Sequence, residues 1–230
     1  MPAKPRPALI GKGEQAPAGK TLPSPRQRLT LEARLPQLLE AAVDEFAEHG
    51  YAGASMAGVA DRAGVGKGLL YHYFAGGKAD LFKAAVRNCI QPVFEEAERL
   101  AASAQGPWRE VMRALIAIGY DRMAARKERA LFRLIIAEAE RFPELAEFYA
   151  EEVLARATSL LESVLRAGVE SGEFRADAAG RACMAQVIMA PAIMGSVWRM
   201  VMGDGKAPDH AAMREAHTLL VLQGLAPDAA

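Results

Sequence analysis

Side chains that could hold or read a nucleic acid are concentrated in residues 66–74, GKGLLYHYF. At helical spacing, one face of this segment carries the hydrogen-bond donors Lys67, Tyr71 and His72. The other face carries Leu70, Tyr73 and Phe74, which could pack on a core. A lysine can donate to a base edge, tyrosine and histidine suit phosphate oxygens, and Gly68 lets the backbone approach closely. The segment predicts a helix that inserts into a DNA major groove.

A second short helix is predicted immediately before this one. Ser55 can cap it by accepting a hydrogen bond from a free backbone amide, and Gly64 can end it in the left-handed conformation, with Val65 in the corner that follows. Its apolar stripe consists of Met56, Val59, Ala60 and Ala63. Two helices around such a corner predict a helix-turn-helix, although the same corner also occurs in proteins in which it only packs.

A supporting helix is predicted ahead of this pair. Its apolar face consists of Leu35, Leu38, Leu39, Ala42, Val43 and Phe46, and Gly50 closes it. The segments FAEHGYAGASM, DRAGVGKG, LYHYF and GGKADLF then follow in this order, and together they closely resemble the N-terminal domain of TetR-family transcriptional regulators. The resemblance covers residues 31–88, and the later helices resemble that family only loosely.

The resemblance implies that a group of residues meets DNA, mostly at its backbone. This group comprises Ser55, Lys67, Gly68, Tyr71, His72 and Lys78, with Gly66 and Leu69 at two further positions of the same surface. Family members commonly have a serine in place of Gly66 and a small polar residue in place of Leu69. One polar contact is therefore missing, and Leu69 could instead touch a thymine methyl group.

Length and composition predict an all-α protein of two parts. The chain has 230 residues, 51% of them apolar, which is enough to bury a sizeable core. Helix-favouring residues dominate, and no segment shows sustained β alternation. We expect an N-terminal three-helix helix-turn-helix domain at residues 29–88, followed by a larger helical bundle for ligand binding and dimerisation at residues 89–224, with a disordered tail at 225–230.

Charge is distributed unevenly along the chain. Residues 1–90 contain 12 lysines and arginines against 8 acidic residues, whereas residues 91–230 contain 16 against 20. This polarity fits a phosphate-binding module joined to a module that does not bind DNA.

Residues 1–28 are basic and rich in proline, which predicts a disordered arm. They lack the continuous apolar run of a secretory signal, so a cytoplasmic protein is expected. Arg26 and Arg28 could reach a minor groove, and a merely solvated tail is an equal alternative.

Nothing in the sequence indicates a metal site, a cofactor or catalysis. The two cysteines, Cys89 and Cys183, are far apart in predicted helices, which suggests no disulfide and favours buried free thiols over redox-sensing ones. His210 and His217 could share a helix face but lack the cysteines or carboxylates of a zinc site. There is no paired acid and base, glycine-rich phosphate loop or nucleophile elbow. We therefore do not expect an enzyme.

The second part reads as a series of helices separated by proline and glycine signals. They are predicted at residues 80–100, 108–124, 128–141, 143–170, 177–202 and 209–222. Pro107 and Pro143 begin two of them, Gly172 ends one, and Asp177 and Asp209 are expected to cap the last two.

Residues 182–198 carry no charge, which raises the question of a membrane span. The run is shorter than the about 20 apolar residues that a span needs, so a helix covered by protein is expected instead. Part of its surface could meet a second subunit and part could line a cavity. The last two helices are therefore the expected homodimer contact.

An effector cavity is expected in this second part, because Pro191 should kink its helix and flexible thioethers can repack around different shapes. The resemblance also implies a ligand pocket here, and the composition favours an apolar or aromatic effector. The candidate lining residues are Trp108, Met112, Met123, Phe132, Ile136, Met184, Met189, Met194 and Trp198.

Two classes of function follow. The first is a ligand-responsive transcriptional repressor that binds a palindromic double-stranded DNA operator as a homodimer. The second is a helical small-molecule carrier or enzyme that does not bind DNA, in which the corner at Gly64 is only scaffold.

Overall fold

The computed structural model describes residues 31–227, with side chains from residue 34, and in this range it consists of helices and connecting turns without a strand. The predicted arm at 1–28 lies outside the described residues. The helices are α1 Leu31–Gly53, α2 Met56–Ala63, α3 Lys67–Tyr73, α4 Lys78–Ser103, α5 Trp108–Ala124, α6 Arg126–Glu138, α7 Pro143–Tyr149, α8 Ala155–Glu170, α9 Met184–Met202 and α10 His210–Gly224. A π-helical segment, Ala150–Leu154, joins α7 to α8.

The helix signals read in the N-terminal part are confirmed by backbone geometry. Gly50 has φ of 69° and interrupts α1 near its end. Ser55 caps α2, with its side chain accepting a hydrogen bond from the Gly58 amide at 3.0 Å. Gly64 ends α2 with φ of 64°, and the Val65 amide bonds back to the Ala60 carbonyl at 3.0 Å. The turn is therefore specified by local hydrogen bonds.

The first core joins the helix-turn-helix to the following helices. Phe46, Tyr51 and Phe82 form an aromatic cluster with ring centroids 5.3 to 5.9 Å apart. Phe142, from the turn between α6 and α7, adds an edge contact to Tyr51 at 4.8 Å. The buried residues of α6 and α7 that complete this core are Leu131, Leu134, Ile135, Leu145 and Phe148. We call this cluster the reader core. It extends beyond residue 88, the expected end of the DNA-binding domain, because α6 and α7 contribute to it.

A second core holds the rest of the molecule together. It is built mainly from α5, α8, α9 and α10, and its largest fully buried side chains are Tyr120, Met112, Leu165 and Val164. Leu225 is 2% exposed, and its carbonyl accepts a hydrogen bond from the Arg175 amide. The chain thus stays packed past residue 224, where the tail was expected to start.

The expected helix from Asp177 to Met202 is wrong at its start, because α9 begins at Met184. The Asp177 carboxylate accepts hydrogen bonds from Arg175 and Arg181, so it does not cap helix amides. Cys183 has φ of 61°, a conformation that cannot continue a helix, and its side chain is exposed where burial was expected. By contrast Asp209 caps α10 as expected, accepting from the Ala212 amide at 2.8 Å.

Helix α9 is longer than the uncharged run suggests. It has 19 residues and a mean hydropathy of 1.3, so by length and composition alone it could cross a membrane, and the expectation that it is too short is wrong. One face is buried by protein, with Ala185, Ile188, Ala192, Gly195 and Ser196 covered. Within one chain the opposite face of α9 is exposed. The protein therefore covers only part of this helix, whereas cover on all sides was expected.

Candidate DNA-binding surface and effector cavity

The outward face of α3 is free of the protein's own side chains. Gly66, Lys67, Gly68 and His72 are exposed, and Tyr71 is 46% exposed. The Lys67 ammonium lies 5.7 Å from the centre of the Tyr71 ring, so the two groups present one polar surface. Apart from its chain neighbours and the backbone of its own helix, nothing lies within 4 Å of where a Cβ of Gly68 would be. The backbone here can come close to another molecule.

The inward face of α3 fixes the orientation of that surface. Leu70 is fully buried and Phe74 is 5% exposed, both in the reader core. Leu69 is half-buried at the edge between the two faces. Ser55 is exposed at the start of α2, and its oxygen is used by the Gly58 amide, which leaves the hydroxyl proton to donate outward.

Lys78 has a place within the protein that the sequence does not reveal. Its ammonium donates to the Tyr51 carbonyl at 2.6 Å and to the Ala52 carbonyl at 3.1 Å. It also lies 4.9 Å from the centre of the Tyr51 ring. These contacts tie the first turn of α4 to the end of α1, so any contact with DNA would compete with them.

A buried carboxylate holds α2 against α1. Glu45 is 4% exposed and accepts hydrogen bonds from Arg62 Nε at 2.8 Å and from the Ser55 amide at 3.3 Å. Burial acts to raise its pKa, but these two hydrogen bonds and the nearby His49 and Arg62 charges lower the pKa overall. A Cβ at Gly58 would overlap this carboxylate where it lies, so a larger residue there would force the Glu45 side chain to move.

A cavity of about 210 Å³ lies between the two cores. Helices α4, α5, α6, α8 and α9 supply an almost entirely aliphatic and aromatic wall, and α7, the π-helical segment and α10 complete it. The polar groups that reach it are Arg122, Glu128, Tyr149 and His217. Such an interior suits a mainly hydrocarbon ligand.

Two family models match the two parts of the chain. The model described as bacterial regulatory proteins of the tetR family matches residues 38–85, which contain the helix-turn-helix. The model described as the C-terminal domain of AefR-like transcriptional repressors matches residues 110–221. The chain belongs to the TetR family of transcriptional regulators.

Individual relatives agree with this assignment. The chain is 33% identical over 90 residues to the HTH-type transcriptional regulator BetI of Paraburkholderia phytofirmans, a match that covers 39% of this chain and 46% of that protein. The chain therefore spans less than half the length of this curated relative.

Solved structures resemble the chain over more of its length. The fatty acid degradation regulator FadR from Bacillus halodurans is 25% identical, with a TM-score of 0.67 over 83% of this chain and 98% of that one. FadR from Bacillus subtilis, solved in complex with stearoyl-CoA, is 21% identical, with a TM-score of 0.62 over 83% and 98%. The latter similarity shows the fold.

The cavity of this TetR-family protein includes some of the residues expected from the sequence and not others. Met123, Phe132 and Met189 line it. Met112 is fully buried in the second core, against which Trp108 and Met184 also pack, and none of these three reaches the cavity. Ile136, Met194 and Trp198 are 53%, 43% and 38% exposed and lie on the outer surface.

Sequence reasoning missed most of the cavity wall. Helix α4 contributes Val86, Ile90, Val93, Phe94 and Ala97, and the segment after Tyr149 contributes Val153, Leu154 and Ala157. The composition led us to expect methionine and tryptophan in the cavity wall, whereas the wall is mostly aliphatic. The available signal was a second apolar stripe on α4 beyond the part that packs in the reader core.

Proposed function

We propose that this protein is a ligand-responsive repressor that binds a palindromic operator as a homodimer. The observation that carries the proposal is the division of α3: Leu70 and Phe74 are buried, and Lys67, Tyr71 and His72 point outward. A helix anchored in this way can insert into a major groove with its donors toward base edges and phosphates. Family membership supports the same role.

The exposed faces of α9 and α10 support dimerisation. Large apolar side chains that solvent reaches in a single chain are Val187, Met194, Trp198, Val201, Met202, Leu219 and Leu220. Both helices belong to the part matched by the C-terminal repressor model. For a dimer formed through this surface to read successive major grooves, its two α3 helices must lie about 34–36 Å apart, which is one turn of DNA.

The cavity supports control by an apolar effector. Its wall is mainly hydrocarbon, and a neighbour of the same fold was solved with stearoyl-CoA. Two helices connect the cavity to the reader core. Leu131 and Ile135 of α6, and Val86 of α4, belong to the reader core and also line the cavity.

Helix α6 also holds α1 through polar contacts. Arg126 pairs with Asp44 at 3.2 Å, Lys127 pairs with Glu40 at 2.5 Å, and Arg133 donates to the Ala47 carbonyl at 3.1 Å. An effector that moves α6 or α4 would therefore shift the reader as a unit and change the separation of the two α3 helices. By linkage, effector and DNA then weaken each other by the same factor.

Selection of bound sequences from a random DNA pool tests the DNA-binding part. We expect two inverted half-sites about one helical turn apart, with an affinity that falls steeply as salt rises. Titration of an effector should then lower the operator affinity. Ligand binding in the cavity with no enrichment of any DNA sequence would contradict the proposal and would favour the small-molecule carrier.

A further inference from the structure

The cavity contains a buried polar ring for which the protein supplies no partner. His217 of α10 is 7% exposed and lines the cavity. Neither ring nitrogen has a hydrogen-bond partner among the described residues. The other buried polar side chains are bonded: Glu45 to Arg62, Ser196 to the Met123 carbonyl and Thr218 to the Arg214 carbonyl. His217 is therefore an exception to the rule that buried polar groups are paired.

The neighbours of His217 do not remove this exception. The Tyr120 ring lies 5.7 Å from the His217 ring between centroids, but the Tyr120 hydroxyl bonds to the Met213 carbonyl at 3.4 Å. The other orphaned buried group in residues 34–227 is Arg199 Nε, and Arg199 contacts His210 and does not line the cavity. Burial lowers the pKa of His217, so the neutral ring offers one donor and one acceptor.

A second polar group without a hydrogen bond reaches the same cavity from another helix. The Tyr149 side chain lines the wall beside Phe132, with ring centroids 6.0 Å apart, and its hydroxyl bonds to none of the described residues. Burial raises the pKa of Tyr149 to about 12, so the hydroxyl remains a donor.

The charged groups at the cavity disfavour an anionic ligand. Arg122 lies 3.2 Å from Glu96 and 3.9 Å from Glu128, so its positive charge is already matched by carboxylates. A carboxylate ligand would approach Glu128, whose side chain is 16% exposed, and would meet a neutral His217. The negative charge of such a ligand would thus be buried without a free counter-ion, which is costly.

We propose that the cavity takes an uncharged, largely hydrocarbon ligand that carries a hydroxyl or carbonyl group, and that His217 hydrogen-bonds this group. The proposal rests on the effector cavity proposed above and adds the chemistry of its ligand. His217 is on α10, so the same contact joins the ligand to the helix that offers Leu219 and Leu220 for dimerisation.

The test is calorimetric titration of the full chain with three probes of one shape: para-propylphenol, propylbenzene and para-propylbenzoate. We expect the phenol to bind roughly two- to tenfold more tightly than propylbenzene, which corresponds to one net hydrogen bond, and the benzoate to bind most weakly. His217→Leu should abolish the preference for the phenol and leave propylbenzene binding within about twofold. His217→Gln, which keeps a donor and an acceptor, should restore part of the preference.

His49→Leu is the matched control, because this histidine is exposed and does not line the cavity. It should leave all three affinities unchanged. Equal binding of the phenol and propylbenzene, or a preference that survives His217→Leu, would overturn the proposal. Binding of none of the probes would overturn it together with the effector cavity. Selective binding through His217 without any change in operator affinity would support it and contradict the repressor.

Thermal unfolding of the free protein tests, without a ligand, whether His217 has a partner in the protein. Because His217→Leu removes an unpaired buried polar group, the Tm of the free protein should stay the same or rise. A Tm that falls by several degrees would mean that the imidazole has a structural partner, and the proposal would then be wrong.

Discussion

Individual residues in the helix-turn-helix fall into those that hold it together and those that face outward, and its glycines show the difference. Gly58 lies against the buried Glu45 carboxylate, and Gly68 faces open space. A Cβ at the first glycine would push the Glu45 carboxylate aside, and the second glycine is available for an approaching backbone. Both belong to short helices in which alanine is the better helix former, so an alanine at each position separates the two roles.

We expect Gly58→Ala to destabilise the protein by about 1–3 kcal/mol, because the new Cβ displaces Glu45 from Arg62 and the Ser55 amide. Gly68→Ala is the matched control: it should leave stability unchanged or raise it by up to about 1 kcal/mol, yet weaken operator binding. Urea unfolding measures the first effect, and DNA titration measures the second. Equal stabilities of the two variants would contradict the packing argument.

The Lys67 side chain is exposed beside Tyr71, and its expected role is contact with DNA. Lys67→Ala should cost about 1–3 kcal/mol of specific binding if the ammonium reads a base edge. A loss that is uniform over all sequences, with a shallower salt dependence, would assign it to phosphate instead. Lys206→Ala, at an exposed position in the α9–α10 loop, should change neither quantity.

At the scale of helices, the junction of α5, α9 and α10 contains two histidines that burial keeps neutral. Desolvation lowers the pKa of both His210 and His217. Around His210, the Arg199 and Arg214 charges lower the pKa further, while Asp121 and Asp209 raise it. Packing of these helices is therefore coupled to proton binding.

We expect stability to fall as pH drops below about 6.5, the ordinary histidine pKa. Below pH 6.5 the two histidines are protonated in the unfolded chain, whereas their lowered pKa keeps them neutral in the folded protein. Stability that is present above this pH is therefore lost as pH decreases. Urea unfolding at pH values on both sides of 6.5 measures it. The carboxylates with lowered pKa, such as Glu98 and Glu152, add losses only below their own ordinary value of 4.5.

The double variant His210→Gln, His217→Leu should flatten this pH dependence between 6.5 and 4.5. A slope identical to that of the unmodified protein would show that other groups cause it.

For the whole molecule, the decisive feature is an apolar surface that a single chain leaves uncovered. Val201 is 77% exposed and Leu220 is 68% exposed, on α9 and α10 respectively. Exposed apolar surface of this kind marks an interaction site. Two-fold pairing of two chains through α9 and α10 would cover this surface. The same pairing would fix the α3 helices of the two subunits relative to each other.

Leu220→Glu should convert the proposed homodimer to a monomer, because a buried and unpaired charge at the contact costs about 3–5 kcal/mol. Sedimentation velocity measures the mass, and operator binding should weaken sharply since each half-site is then held alone. Ile136→Glu is the matched control, since this residue is 53% exposed but lies on α6. A Leu220→Glu protein that remained a dimer would place the contact elsewhere.

Sequence alone was sufficient for features that depend on neighbours along the chain. The Ser55 and Asp209 caps, the Gly64 stop and the inward face of α3 all follow from short-range hydrogen bonds and helical periodicity, and the structure confirms them. One local prediction was wrong. Asp177 was expected to cap a helix, but its carboxylate instead accepts hydrogen bonds from Arg175 and Arg181.

Only the tertiary structure decided what the apolar faces meet. Periodicity shows that a face is apolar but not whether it meets a core, a cavity or solvent, so Met112 and Trp198 were expected in a cavity that neither lines. Glu45 and His217 illustrate the same limit. One carboxylate is held by Arg62 and one imidazole is left without a partner, and only the packing of separate helices against each other produces that difference.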